Sequence, residues 1–185
     1  MNLSFQFSAP VQIQFGPGRA SVALAEMRRY GSRVMLVCGK NAQRHHELLR
    51  QIKGEAQAVS QIEVRAEPDT TWVEESALQA RRAGCDLVIA LGGGSVIDTG
   101  KAIAALITNS GSLVDYMEVV GRGRVLENPP VACIAIPTTA GTGAEVTRNA
   151  VLTSSAHGIK ISLRGPCLLP RLAVVDPTLT LTMPA

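Results

Sequence analysis

The chain has 185 residues, a length suited to one domain or to a domain with a small appendage. Apolar residues make up 46%, enough to build a core, whereas aromatic residues at 3% exclude the stacking platforms that hold single-stranded nucleic acid. The net charge of +3 is scattered over Arg28-Arg29, Arg81-Arg82, Arg122 and Arg124, which reads as solvated helix faces and loops and not as a stripe for DNA.

Apolar runs alternate with amphipathic stretches along the chain. Residues 11–15 (VQIQF) predict a strand, followed by a tight turn and a helix over 18–30. Gly16 to Ser21 comes close to a dinucleotide fingerprint, but its sixth position is serine and Arg33 to Gly39 holds no acid, so a turn is the better reading. A strand over 33–38 (RVMLVC), a helix over 41–53, a strand over 62–66 and a helix over 71–83 come next, with Trp72 read as a helix-start residue packing on the core. The strand 86–91 (DLVIAL) leads through three glycines into a helix over 95–108. A surface loop over 118–130, a strand over 131–136 (VACIAI), a hairpin over 150–163 and a strand over 172–175 (LAVV) complete the order. Several strands are apolar on both faces, as expected when helices cover both sides of a parallel sheet. The alternation predicts an α/β doubly wound, mostly parallel, Rossmann-like sheet. After Asp176-Pro177 comes an apolar tail. Leu168, Leu169, Leu179, Leu181 and Met183, read as exposed, would favour a homodimer or other self-association.

The most informative run is Leu91 to Asp98, LGGGSVID. Glycine lets a backbone turn sharply and approach a ligand closely, and the amides and dipole of a helix start attract an anion. Ser95 and Asp98 have the spacing of a capping box, with Ser95 at the N-cap. A cap needs no three glycines, each of which costs backbone entropy on folding, so Gly93, Gly94 and Ser95 read as a phosphate cradle. Asp98, a carboxylate beside a phosphate, is tolerated there only if tied to backbone amides or a polar ligand group. The second run is Ile136 to Glu145, where Thr138, Thr139 and Thr142 follow a buried strand and supply donors and acceptors beside glycine backbone. In an open α/β sheet both runs fall at the carboxyl ends of strands, where ligands bind.

Cys38, Cys85, Cys133 and Cys167 show neither paired nor metal-ligand spacing, which fits reduced thiols in the cytoplasm. No secretory pattern opens the chain and no apolar run is long enough to span a bilayer, so no membrane partner is expected. Adjacent His45 and His46 diverge on a helix and His157 is the other histidine, so no metal site is expected within these residues. No order of serine, histidine and acid recommends a hydrolase.

GGGSVIDTGKA (92–102), IPTTAGTGAEVTRNAV (136–151) and LLPRLAVVDPTLTLTMP (168–184) together resemble group III, iron-containing alcohol dehydrogenases, as do FGPG (15–18), EPDTT (67–71) and AGCDLVIALGGGS (83–95). The resemblance implies that residues 1–185 form the dehydroquinate synthase-like, NAD(P)-binding domain, with a metal-binding helical domain following after Ala185. It implies that Gly93, Gly94 and Ser95 hold a pyrophosphate, with Asp98 beside them, and that Thr138, Thr139 and Thr142 line the adenosine and nicotinamide side. It places Val151 near the nicotinamide, Lys160 at a ribose hydroxyl and Leu179 at the adenosine end. Many NAD-dependent members carry an aspartate at the end of the second strand, where it bonds the ribose and repels a 2′-phosphate. Gly39, followed by Lys40 and Asn41, stands there in this chain, which leans the cofactor to NADP, with NAD or dual use as the alternative. The family's metal ligands, an aspartate and several histidines, belong to the helical domain. Iron or zinc would serve there as a Lewis acid for a small-molecule alcohol or aldehyde during hydride transfer. Residues 1–185 alone are therefore expected to bind cofactor weakly and to turn over substrate poorly or not at all. Two alternatives stand beside this reading: a glycerol or polyol dehydrogenase of the same broad fold, and a non-catalytic nucleotide-binding or self-association module.

Overall fold

The computed structural model describes residues 4, 9–10, 12–117 and 120–181. In chain order the regular elements are β1 (Gln12–Phe15), α1 (Arg19–Ala25), β2 (Arg33–Gly39), α2 (His46–Glu55), β3 (Ala58–Val64), α3 (Thr70–Arg82), β4 (Leu87–Gly92), α4 (Gly94–Thr108), β5 (Ala132–Pro137), β6 (Asn149–Ser154), β7 (Ile159–Arg164) and β8 (Leu172–Val175). Six strands make a sheet in the order β1-β8-β5-β4-β2-β3, and every pairing in it is parallel. β6 and β7 form a separate antiparallel hairpin.

Side-chain alternation explains the two layers of helices. Val34, Leu36, Leu87, Ile89 and Leu91 point to one face and pack with Leu24, Met27, Leu49 and Ile52 from the α1 and α2 side. Met35, Val37, Val88 and Ala90 point to the other face, where they meet Val73, Ala77, Ile97 and Ile103 of α3 and α4. The hairpin covers that second layer with Ala150, Leu152, Ile161 and Leu163. Buried on both faces, the central strands are the continuous apolar runs that the sequence displays. The α/β doubly wound parallel fold is therefore the observed one.

Several expectations shift at the edges. The first helix stops at Ala25 and continues as a 3₁₀ turn over Met27–Arg29, and α2 is preceded by a 3₁₀ turn over Ala42–His45. β3 runs over 58–64 and not 62–66. It pairs with β2 alone at the sheet edge, so most of it is only half-buried and its apolar pattern is diluted. Leu168 and Leu179 are buried, contrary to the reading of an exposed apolar tail. Asp176 caps a 3₁₀ turn over Pro177–Thr180 that folds the chain back onto the core. Leu169 is half-buried, Leu181 is 81% exposed, and Met183 lies outside the described residues. Trp72 packs partly buried on the core from the first turn of α3.

Asp176 joins the end of β8 to the start of α1. Its carboxylate accepts the Ala20 N–H at 3.1 Å, the Thr178 N–H at 3.1 Å and the Thr178 hydroxyl at 2.6 Å. Burial opposes its charge, but these hydrogen bonds overcome that and hold its carboxyl below the usual range. Asp176→Asn should cost about 1–3 kcal/mol at neutral pH. A carboxyl with a depressed folded pKa contributes fully above its unfolded pKa of about 3.9 and loses that contribution as pH falls through the folded value. Urea unfolding of the two proteins should therefore differ by a steady amount above about pH 4 and by less as pH falls below it; a difference that stays the same throughout the acid range would refute the assignment.

Gly100 sets the distance between α4 and the sheet, because a Cβ there would stand 2.7 Å from the Cβ of Ala90. Gly100→Ala gains up to about 1 kcal/mol of helix propensity but overpacks a fully buried contact at a cost of about 1–3 kcal/mol. The net expectation is a lower urea midpoint, and a raised midpoint would show that the contact is not a tight one.

Candidate functional site

In a parallel sheet all carboxyl ends lie on one edge, and here that edge carries most of the residues singled out in the sequence. β2 leads outward to β3 while β4 leads to β5 on the opposite side, so strand order reverses between β2 and β4. A crevice opens at such a point. The register sets Gly92 beside Pro137 and Cys38 beside Leu91, so β2, β4 and β5 end at one level. A cleft of about 530 Å³ lies there, lined by Gly39, Lys40 and Asn41 at the end of β2, by Val64, Arg65 and Ala66 at the end of β3, by Gly93 to Val96 after β4, and by Thr138, Thr139 and Thr142 after β5.

The three glycines have separate reasons. A Cβ on Gly92 would meet the Val96 side chain at 2.6 Å, so the turn from β4 into α4 closes only without one. A Cβ on Gly94 would stand 3.2 Å from Cβ and Cγ2 of Thr142, and one on Gly93 would stand 3.4 Å from Thr139 Oγ1. Backbone and threonine loop thus face each other across the narrow part of the cleft. Gly93, and not Ser95, is the N-cap of α4: it is extended, its carbonyl accepts the N–H groups of Val96 and Ile97, and no side chain caps the helix. Ser95 is already helical and exposed, because the chain enters the helix one residue before it. The first N–H groups of a helix lack intrahelical partners, so the first turn of this 15-residue helix presents donors and the positive dipole end to the cleft.

The threonine loop is fixed at its start by the Thr138 N–H, which donates to the Gly92 carbonyl at 2.9 Å. Gly143 has φ of 64°, a left-handed conformation that glycine adopts readily, and the loop turns there into a 3₁₀ turn over Ala144–Val146. Thr142 Oγ1 accepts from the Ala144 N–H at 3.4 Å. Thr139 Oγ1 is buried without a hydrogen-bond partner.

The other residues marked in the sequence are distributed around this cleft. Asp98, within α4, accepts the Val151 N–H at 3.1 Å and pairs with Lys101 Nζ at 2.9 Å. The carboxylate is therefore tied to a backbone amide, as a negative group so near the cradle has to be. Val151 is 39% exposed on β6. Lys160, on β7, is exposed and holds Glu67 Oε2 at 2.7 Å. Leu179 does not line the main cleft; it lines a second one of about 250 Å³ with Gly18, Ser21, His45 and Asp176.

Two charged residues were not visible as site residues from sequence. Arg65 falls just beyond β3, one step past the Gly39–Val64 register pair, and shares the cleft with Lys40; its Nε is 3.0 Å from Glu63 Oε1. Reading the strand as 62–66 put Arg65 inside it and hid its place at the strand's end. Lys101 is a fully buried lysine on an apolar helix, and its spacing of three from Asp98 was the available signal. Burial raises the pKa of Cys38 and Cys85 and pushes that of Cys133 up to about 12, which favours the neutral thiol at each. Cys167 is exposed at the residue level, and partial burial of its thiol raises it as well. Among the described residues no group of three or more His, Cys, Asp or Glu is placed to hold a metal, and no helix is long and apolar enough to cross a membrane.

Comparison with known proteins bears on this geometry. A family model described as iron-containing alcohol dehydrogenase matches residues 10–177. NADH-dependent butanol dehydrogenase A of Clostridium acetobutylicum is 31% identical over 187 residues, covering 98% of this chain and 47% of the relative. 4-Hydroxybutyrate dehydrogenase of Cupriavidus necator is 42% identical over 123 residues, covering 66% of this chain and 32% of the relative. The crystal structure of a 1,3-propanediol oxidoreductase superposes with a TM-score of 0.89 at 30% identity, over 98% of this chain and 48% of that one. Sulfoacetaldehyde reductase from Bifidobacterium kashiwanohense, solved in complex with NAD+, superposes with a TM-score of 0.87 at 32% identity, over 99% and 49%. The chain spans less than half the length of each of these relatives. With its glycine turn, threonine loop and parallel sheet, the chain belongs to the iron-containing alcohol dehydrogenase family.

Proposed function

We propose that this chain is the dinucleotide-binding part of an NAD(P)-dependent alcohol dehydrogenase or aldehyde reductase, the remainder of whose active site belongs to a helical domain following residue 185. The observation that carries the reading is the narrow facing of Gly93 and Gly94 against Thr139 and Thr142, with the Thr139 hydroxyl buried and unpartnered. A space that a single Cβ would crowd, lined by helix-start amides and an unsatisfied hydroxyl, fits a pyrophosphate. Gly93, Gly94 and Ser95 would hold it, and Thr138, Thr139 and Thr142 would line the adjoining nucleoside. Val151, exposed on β6, would pack near the nicotinamide, Lys160 would exchange Glu67 for a ribose hydroxyl, and Leu179 would close the adenosine end. A nicotinamide supplies the site that accepts or gives up hydride; these residues fix where it stands. The described residues hold no metal-ligand group, so no metal step is assigned to them.

Relatives named as NADH-dependent, and a structural neighbour solved with NAD+, support a nicotinamide dinucleotide as the ligand class. We infer a preference for NADP(H) from Gly39, which leaves no carboxylate to repel a 2′-phosphate, and from Lys40 and Arg65 beside it. The substrate class is a small alcohol or aldehyde, the compartment the cytoplasm. The exposed apolar residues Ile13 and Phe15 on edge strand β1, with Leu181, suit contact with a second copy.

Fluorescence titration with NADPH should show saturable binding, and Gly94→Val, which drives a branched side chain into Thr142, should weaken it at least about tenfold, or 1.4 kcal/mol. Unchanged affinity in Gly94→Val would remove the cradle from the site. Gly39→Asp should weaken NADPH about tenfold or more while leaving NADH within about twofold or improving it. Wild-type preference for NADH, with neither affinity altered by Gly39→Asp, would overturn the NADP(H) preference.

A further inference from the structure

Lys101 is among the most deeply buried side chains in the protein, yet it stands on a helix whose next five residues, Ala102 to Leu106, are apolar and buried. Packing alone would have been satisfied by another apolar residue. An ammonium persists in such a place only where other groups replace its water. Here five oxygens do so: Asp98 Oδ1 at 2.9 Å, the Ala144 carbonyl at 2.9 Å, the Thr147 carbonyl at 3.4 Å, Thr147 Oγ1 at 3.2 Å, and the Asn149 carbonyl. Four of the five belong to one segment, residues 144–149, which runs from the 3₁₀ turn after the threonine loop into the first residue of β6. That segment has little apolar anchorage of its own: Ala144 is buried, but Val146 is exposed and Thr147 only half-buried. It also follows two glycines with positive φ, Gly141 and Gly143, which give its entry little stiffness.

The same helix turn grips the far end of the segment. Asp98, paired with Lys101, accepts the Val151 N–H. The ion pair thus holds both ends of an eight-residue stretch, and it does so from α4, whose first turn forms the glycine cradle. We propose that Lys101 is a positioning residue: its ammonium, through Asp98 and the carbonyls of Ala144, Thr147 and Asn149, locks segment 144–151 to α4 and so fixes Val151 at a set distance from the cradle. On the dinucleotide reading, from which this inference takes its ligand, Lys101 sets the nicotinamide half of the site relative to the pyrophosphate half. A compact ammonium with three rotatable donors suits a ring of carbonyls approaching from several directions, whereas a planar guanidinium or an amide does not.

The test uses the 185-residue chain and two ligands that differ in reach. 5′-ADP occupies only the cradle half, and NADPH or NADH occupies both. Lys101→Met keeps the length and removes the charge. It should leave 5′-ADP affinity within about twofold, weaken the reduced dinucleotide about tenfold, and raise amide exchange at Val151 and across 144–149 without raising it in β4. Thr147→Val, which keeps the charge and removes one oxygen, should show the same split to a smaller degree and serves where Lys101→Met does not fold. Equal loss for both ligands with exchange raised throughout would reduce Lys101 to a general core residue and overturn the proposal. Unchanged dinucleotide affinity with Val151 still protected would overturn it too. A wild-type chain that binds neither 5′-ADP nor dinucleotide refutes the dinucleotide reading itself. The exchange pattern then decides separately whether Lys101 fixes the segment.

Discussion

Everything at the carboxyl edge of this sheet depends on how closely α4 lies on β4. The contact is made possible by Gly100 facing Ala90, and by Gly92, which lets Val96 fold back over the strand end. A helix this close to the sheet becomes part of the core, with its residues from Val96 to Leu106 buried apart from the half-buried Asp98. Its N-terminus is then held by the packing of the turns behind it. A loop could present the same amides, but each would have to be ordered anew when a ligand arrives, at about 1–2 kcal/mol per residue. On the proposed reading, mounting the cradle on α4 moves that cost into folding.

The central position of α4 creates an electrostatic difficulty, which Asp98 and Lys101 resolve together. A helix start attracts anions, and an unpaired carboxylate one turn further in would oppose them. One helical turn is about 5.4 Å, and across it at an effective dielectric near 20 the repulsion of one unit charge is about 3 kcal/mol, larger than the dipole effect of about 0.3–1 kcal/mol. Pairing with Lys101 cancels that charge locally, and the Val151 N–H satisfies the second oxygen. The carboxylate can therefore serve as a hydrogen-bond acceptor for β6 without depriving the cradle of its positive character.

What the sequence made legible follows from these physical facts. Strands buried on both faces announce themselves as unbroken apolar runs, so β2, β4, β5 and β8 lie within a residue of where they were read. β3 has an exposed edge and one neighbour, so its residues 58–61 carry too little apolar signal to mark its start. The glycine turn was visible as a whole, but its capping was not: serine is the common N-cap, and only the packing of Val96 on Gly92 shows why the helix begins one residue earlier. Leu179 reads as exposed because its burial follows the turn that Asp176 caps, a contact with Ala20 across 156 residues of sequence, and Leu168 because its partners are the distant residues of the α3 and α4 layer. Lys101 was hidden for the same reason: four of its five acceptors lie more than forty residues away. Composition and period describe faces of local elements, and bonds that join distant segments leave little trace in either.

The two ends of the cleft are built by different means. At one end Gly39, Lys40 and Arg65 follow the paired strands β2 and β3, and the cations there are exposed and held by surface ion pairing at most, as between Arg65 and Glu63. Exchange of such residues disturbs little else, because surface pairs contribute about 1 kcal/mol or less. At the other end the threonine loop and β6 are tied to α4 by a buried lysine and a carboxylate whose partners depend on one another, so a change in one strands the rest. On the proposed dinucleotide reading, selection for or against a 2′-phosphate would be retuned at the edge of the sheet, while the distance from cradle to Val151 would be set by the core. On that reading, a change at the exposed edge would alter which cofactor is accepted and leave the buried ties that hold Val151 untouched.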